Sequence, residues 1–413
     1  MEVTSEERRV FGARVADLRE QRGLTQKQLA AEIGRTASWL SQVERGIQPV
    51  NRLDVLRLLA DGLGVSVQEL RADAPTQAPA EEPAIELPND LDQARLVISG
   101  HPVPEVVLDP AGPGPANVEE LQRAVDRVWE LTHANEFAEL SSTLGPLVPR
   151  IERAARTAPP EDRGRLWGLL SRTYQALAAA FVRQDEADAA WVAADRAIRA
   201  AEESGKTLEV FASVFRLSQA FVRLKHLDQA EHSATTALNA LERHYREAAG
   251  EPEALSVIGA LHLALALIHA RAGDRTRARQ EMKRAREVAA RLGEDRNDFN
   301  LEFGPTNVEI QAVSIAVELG DAGEAIEVGT ELDTSSLSLE RRARLKMDLG
   351  RAYAQRRQVG EALGALLDAE DLSPDLIHTH VVARETIRDL LLLAGRATPP
   401  ELKELADRAD ARP

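Results

Sequence analysis

A chain of 413 residues with a formal net charge of −16 is too long for one hydrophobic core, so two or more domains are expected. It has no cysteine, which excludes disulfides and thiolate metal sites; aromatics make up only 4%, and Leu, Ala, Arg and Glu abound, a bias toward helix–helix packing and an all-α class. The polar, acidic opening MEVTSEERRVFG lacks the pattern of a signal peptide, and a reducing cytoplasm is the expected location.

The charge is unevenly placed. Residues 1–73 carry eleven Lys/Arg and eleven Asp/Glu, so the whole excess of acid lies beyond them. Within residues 8–57, ten bases stand against five acids. A locally basic module can approach a polyanion, while the acidic remainder is repelled by it.

Phe11, Val15 and Leu18 recur at i, i+4 and i+7, which predicts a first helix that stops near Gly23. Thr25 is the expected N-cap of a second, with Gln28 as its capping-box partner and Leu29, Ala30 and Ile33 inward. Gly34 ends it. Thr36 then caps a third helix with Leu40 and Val43 inward and Ala37, Ser38, Ser41 and Gln42 outward. Gly46 and Pro49 break the chain before a fourth helix, RLDVLRLLADGLG. A fifth opens on Ser66-Val67-Gln68-Glu69, with Val67 and Leu70 inward. Two short helices joined by a tight turn form a helix-turn-helix, and a small, polar outer face on the second suits base edges in a major groove.

LTQKQLAAEIG followed by TASWLSQVERG resembles the lambda-repressor-like (XRE) helix-turn-helix family over about residues 8–71. The resemblance implies sequence-specific binding to an operator in double-stranded DNA. It places the Gln26 side chain at a phosphate, and Thr36, Ala37, Ser38 and Gln42 at the groove, with Ser41 on the same face and Gln42 the best base reader. Arg45 and Arg52 would lie near the DNA backbone, and Arg19 with Glu44 would form a buried ion pair. Ala37 departs from the long polar residue of many relatives, which shifts weight toward shape readout. Trp39 is read as a packing residue.

From residue 74 to 116 the chain is rich in Pro, Ala, Glu and Gly, as in APTQAPAEEPAIELPND and PAGPGPAN, and reads as a linker. LDQARLVISG within it predicts a short helix. The expected domains are therefore 1–73, the linker 74–116, and a body over 117–413.

The body repeats. AFVR occurs at Ala180–Arg183 and again at Ala220–Arg223. Residues 343–374 hold Leu349-Gly350, Tyr353, Ala362, Ala369 and Pro374, the spacing of a tetratricopeptide repeat, and resemble that family. Weaker copies run through Leu177, Phe181, Ala190 and Ala197, through Leu217, Phe221, Ala230 and Ala237, and through Leu265, His269, Ala278 and Ala285. A degenerate copy fits Val313–Leu332, and residues 119–155 suit a first one. About six helical hairpins are expected in all, with a capping helix near Pro399–Arg412. The whole resembles actinobacterial-type regulators that join an XRE head to a repeat body.

A stack of this kind presents a concave surface lined by the first helix of each hairpin. The repeat frame puts Arg183, Arg223 and Arg271 at one equivalent inward position, joined by Arg172, Gln175, Gln219, Asn307, Arg344 and Arg351. Desolvated arginines suit a carboxylate or phosphate, although each could equally pair with a nearby acid. The stretch EDRNDFNLEFGPTNVEI interrupts the rhythm, as a lid or an ordered connection, and Thr306 with Glu309 reads as a capping box.

Catalytic signatures such as GxxxxGK[ST], HExxH and GxSxG are absent, so an enzyme is not expected, nor a cofactor or a metal. His378 and His380 would face different sides of a helix. LSVIGALHLALALIHA, from Leu255, reads as a buried helix rather than a membrane span. The expected function is transcription regulation by a homodimer whose body senses a small anion, a peptide or a protein. The alternative is a scaffold that holds a protein in its groove and uses the head only as an anchor.

Overall fold

The computed structural model describes residues 5–33, 37–48, 50, 53–65, 67–70, 89–108, 117–245, 251–335 and 339–412. Helices account for all the regular structure among them; a single antiparallel bridge joins Arg296 to Phe303. The chain divides into two compact units, Met1–Glu86 and Leu87–Pro413.

The first unit holds α1 (Ser5–Gln21), α2 (Gln26–Glu32), α3 (Ala37–Glu44), α4 (Leu53–Leu63) and α5 (Val67–Leu70). Phe11, Val15, Leu29, Leu40, Val43, Leu59 and Leu70 are buried in one core. The Thr25–Gln28 capping box forms: Thr25 Oγ1 accepts the Gln28 N–H at 3.3 Å, and Gln28 Oε1 accepts the Thr25 N–H at 2.9 Å. Gly12 lets α1 press on the last turn of α3, because a Cβ there would collide with the carbonyls of Val43 and Glu44. The caps expected of Thr36 and Ser66 lie outside the described residues, as do Gly34 and Pro49.

The second unit opens with α6 (Asp92–Ile98) and α7 (Pro104–Leu108). The first of these is the helix expected inside the linker, and it is packed rather than free. Leu91, Ala94 and Ile98 are buried in the body's core, and Ser141 Oγ accepts the Ala94 N–H at 2.9 Å. Six antiparallel hairpins follow. The first pairs α8 (Val118–Ala134) with α9 (Phe137–Thr157), and the second pairs α10 (Pro160–Arg183) with α11 (Ala187–Ser204). Then come α12 (Thr207–Arg223) with α13 (Leu227–His244), and α14 (Pro252–Arg271) with α15 (Arg275–Leu292). The last two are α16 (Pro305–Glu318) with α17 (Ala322–Glu331), and α18 (Leu339–Gln355) with α19 (Val359–Leu372). Helices α20 (Pro374–Thr379), α21 (Val381–Ala394) and α22 (Pro400–Arg408) close the unit.

The repeat frame has a physical signature at each tight turn. Asp185, Lys225, Gly273, Gly320 and Arg357 all have positive φ, each two residues past the end of its helix. The next N–H then reaches back to the carbonyls of Phe181, Phe221, His269, Ala316 and Tyr353, at 2.8–3.0 Å, a Schellman-type closure. These acceptors are the frame's plug positions, and Ala316 marks the degenerate copy. The frame's alanines at 190, 230, 278, 325 and 362 are all fully buried, which is what lets paired helices approach. Helix α14 is apolar and long enough to cross a membrane by composition, yet it is almost wholly buried inside the body.

Candidate DNA-reading face and arginine-lined cavity

In the first unit, Glu44 ties three helices together. Its carboxylate accepts from Arg19 Nε at 2.6 Å and from Gln26 Nε2 at 2.7 Å, while Arg19 Nη1 donates to the Leu24 carbonyl at 2.8 Å. The side chains of Arg19 and Glu44 are 10% and 6% exposed, so the pair is buried. The hydrogen bond that Arg19 donates to Glu44 raises the Arg19 pKa above its ordinary value. Because α3 is clamped from behind, its other side stays open: Ala37, Ser38, Gln42 and Arg45 are exposed and Ser41 is partly so. Trp39 packs against the core, as expected. The Gln26 side-chain amide gives one of its two N–H groups to Glu44, at 2.7 Å. Thr36 and Arg52 lie outside the described residues.

In the second unit a cavity of about 260 Å³ sits inside the stack. The first helices of the hairpins line it, together with the start of α21 and residues Asn300, Leu301 and Glu302. Of the expected residues, Arg183, Gln219, Arg223, Arg271, Asn307, Arg344 and Arg351 all reach it. Arg172 and Gln175 do not. Arg172 lies eleven residues before Arg183, about 16 Å along α10, and pairs with Asp126 at 2.9 Å. Gln175 is buried and donates to Ser171 Oγ at 3.2 Å.

Arg216, Arg341, His133 and His380 also line the cavity and were not foreseen. Arg216, Gln219 and Arg223 fall at i, i+3 and i+7 on α12, as do Arg341, Arg344 and Asp348 on α18, so a helical-face count would have found both arginines. His133 comes from α8 of the first hairpin, and His380 from the start of α21, outside the hairpins. The cavity's other walls are apolar, with Leu263, Leu267, Ile310 and Met347 among them.

Acids answer most of these cations. Glu340 pairs with Arg183 at 2.9 Å and Arg344 at 3.2 Å. Glu318 takes Arg351 at 2.9 Å and Arg271 at 3.4 Å, and Asp348 takes Arg351 at 2.9 Å. Glu302 pairs with Arg341 at 3.4 Å. Two arginines are left over. Arg223 has no carboxylate within ion-pair distance among the described residues, and neither has Arg216. Arg216 is only 7% exposed; it donates to the Asn300 carbonyl at 2.6 Å and to Gln219 Oε1 at 3.2 Å, and its Nε is buried without a partner. Its guanidinium also lies over the Trp129 and Phe215 rings, 5.4 and 5.3 Å from their centres.

The electrostatics follow from burial. Desolvation, reinforced by Arg183 and Arg344, pushes Arg216 down to about 9. Burial with Arg271 alongside lowers Arg223, and burial lowers Arg183 despite Glu340. Burial pushes Glu318 and Glu340 up, but their arginine neighbours outweigh it and hold both below the usual range. His380, buried and facing Arg344, Arg223 and Arg183, is held well below its ordinary 6.5 and stays neutral. Its Nδ1 accepts the Val382 N–H at 3.2 Å, so its proton sits on Nε2. His378, two residues earlier, faces elsewhere and joins Glu370 at 2.6 Å.

The loop that expectation left as lid or connection is ordered and forms a wall of the cavity. Phe299, Asn300 and Glu302 all adopt positive φ, a strained set for non-glycine residues. Arg296 holds Asp298 through both carboxylate oxygens, at 2.8 and 3.0 Å, and Ser256 Oγ donates to Asp298 at 2.7 Å. The Thr306–Glu309 capping box is not formed. Asp295 Oδ1 takes the Thr306 N–H at 3.1 Å, and Glu309 instead pairs with Arg286 at 2.8 Å.

Residues 10–74 match the helix-turn-helix domain family. The first unit contains a helix-turn-helix domain. In that domain α2 and α3 are the two consecutive short helices, and the outer face of α3 is exposed. No curated protein matches the chain significantly. Among solved structures, it is similar to Bacillus thuringiensis PlcR in complex with the peptide PapR7 and DNA, at 14% identity and a TM-score of 0.34, covering 89% of this chain and 96% of that one. It is also similar to ComR from Streptococcus suis, at 15% identity and a TM-score of 0.26, covering 98% and 94%. The apo form of the competence regulator ComR from Streptococcus vestibularis gives 14% and 0.22, covering 75% and 98%. At such TM-scores the likeness is too loose to transfer a ligand or a site to this chain.

Proposed function

We propose that this protein is a sequence-specific transcription regulator of the XRE class, of actinobacterial type, that acts in the cytoplasm as a homodimer. Its head, residues 1–73, binds an operator through the outer face of α3, and its repeat body, residues 117–413, senses an anionic ligand in the arginine-lined cavity. The observation that carries this reading is the helix-turn-helix domain whose second helix leaves Ala37, Ser38, Gln42 and Arg45 exposed while Glu44 is clamped behind it. A small polar face of that kind fits a major groove, with Gln42 able to reach an adenine edge. The excess of bases within residues 8–57 supports it. Pairing two heads would set two half-sites about one helical turn apart and supply the specificity that one short helix lacks.

The test is selection of fragments from a genomic library at low and moderate salt. Enrichment of a short, symmetric site is the expected result. Equal recovery of all fragments at both salts would remove the regulator reading. The arginine lining of a small cavity, about 260 Å³, favours a sensed small ligand over the scaffold alternative, which calls for a long groove that holds a protein.

A further inference from the structure

The reading of the body as a sensor is the starting point here, and the cavity narrows what it senses. Seven arginines reach the cavity, and four carboxylates, Glu302, Glu318, Glu340 and Asp348, pair with five of them. Arg216 and Arg223 are the two without a carboxylate. The fork of Arg216 is now filled by neutral stand-ins, the Asn300 carbonyl and the Gln219 amide oxygen, while its Nε is buried and unmatched. A buried cation left in that state is costly, and an oxyanion that reached Nε would relieve it.

We propose that the ligand is a compact dianion, an oxyanion of two negative charges on a small apolar body, held between Arg216 and Arg223. The two guanidiniums without a carboxylate set the valence, because a monoanion would leave one of them unanswered. The volume of about 260 Å³ lies just below the usual range of ligand pockets and favours a compact occupant over an extended peptide. Leu263, Leu267, Ile310 and Met347 provide the apolar wall for the rest of the molecule. His380, neutral and protonated on Nε2, adds a hydrogen-bond donor without adding charge. A phosphate monoester and a dicarboxylate share this chemistry.

The full-length protein is titrated in a phosphate-free buffer at constant ionic strength, with thermal stability and calorimetry as readouts. The probes are phenyl phosphate, phthalate, benzoate, benzyl alcohol and a mixture of short acidic peptides. One or both dianions are expected to raise the melting temperature, and which of them does so identifies phosphate or dicarboxylate. Benzoate should bind at least about tenfold more weakly, and benzyl alcohol should have no effect. Arg223→Gln and Arg216→Met should each weaken the dianion by about tenfold or more. Arg223 is only half-buried, so its variant guards against a folding defect at Arg216. Benzoate equal to the dianions, an undiminished response in Arg223→Gln, or stabilisation by peptides alone would overturn the proposal. Fragment preference is measured on the same samples. Preference for a DNA site with no dianion response sinks the dianion and spares the regulator; a dianion response without any DNA preference does the reverse.

Discussion

Gly259 in α14 is the contact through which the cavity loop is anchored, and replacing it with alanine measures that anchor. A methyl at Gly259 would fall well inside 3.0 Å of the Phe303 ring atoms Cζ, Cε1 and Cε2, a distance real side chains essentially never show. Phe303 is 1% exposed, so the ring has no free volume to retreat into. On its own, Gly→Ala within a helix gains about 1 kcal/mol. Against this stand about 1–3 kcal/mol for forcing a methyl into a packed core, and about 3–5 kcal/mol if the ring is expelled altogether. The net expectation is a loss of about 0–4 kcal/mol. Thermal melting of the body is the assay, with Gly364→Ala as its control. Gly364 also lies in a helix, α19, but nothing stands within 4 Å of where its Cβ would be. That variant should be stabilised by about 1 kcal/mol or somewhat less. Phe303→Leu combined with Gly259→Ala should recover part of the loss. If Gly259→Ala melts no lower than Gly364→Ala, the Phe303 ring is not fixed against α14 and the ordered loop is misread.

Gln42→Ala should weaken preferred DNA fragments by about 1–3 kcal/mol while leaving bulk DNA nearly unchanged, whereas Arg45→Ala should weaken both and lower the salt slope by about one; competition binding at several salts separates them, and equal effects of the two variants on both kinds of DNA would count against the groove face. Glu44→Ala should destabilise the head by about 3–5 kcal/mol, because it strands the buried Arg19 and releases Gln26; urea melting checks it, and a wild-type midpoint would show that the pair is not structural. His380 is held below 6.5 by burial and by Arg344, Arg223 and Arg183, so in acid the unfolded chain takes up a proton that the folded chain refuses. Stability is therefore lost as pH falls below 6.5, by up to about 1.4 kcal/mol per pH unit from this group, and His133 acts in the same direction. His380→Gln should flatten the fall in melting temperature between pH 6.5 and 5; an unchanged slope would show that His380 accepts a proton in the folded protein.

The hairpin frame was legible because its rules are local. A buried alanine where helices cross, an aromatic plug and a left-handed turn residue recur at fixed offsets, so Ala190, Ala230, Ala278 and Ala362 announced themselves. The inward arginines at 183, 223 and 271 share one register and were legible for the same reason. Arg172 misled because the frame gives direction around a helix but not distance along it, and α10 runs past the cavity's end. Arg216 was missed because it lies one turn before a frame position, and its state depends on which side of Asn300 the irregular loop presents. The positive φ values of Phe299, Asn300 and Glu302 in that loop follow no periodicity. The Thr306–Glu309 motif failed through competition: Asp295 and Arg286, brought in by the fold, took the two partners.

Net charge led in two directions, and local geometry decides between them. The chain beyond residue 73 carries the whole −16 and would be expected to repel anions, yet the cavity in its body is lined by cations in excess. The conflict dissolves on the length scale of screening. At physiological salt, exposed charges fade within about 8 Å, whereas charges inside a desolvated cavity are screened far less. A small ligand that has entered therefore feels Arg216 and Arg223 before it feels the surface carboxylates. DNA is the opposite case, because it stays outside and meets only what is exposed. There the count of ten bases over residues 8–57 overstates the grip, since Arg19 is bound to Glu44 and Arg22 donates to the Gly62 carbonyl. Each phosphate that a head does neutralise contributes about −0.9 to the salt slope. Two heads acting together would double the number of such contacts, which is the physical argument for the proposed dimer.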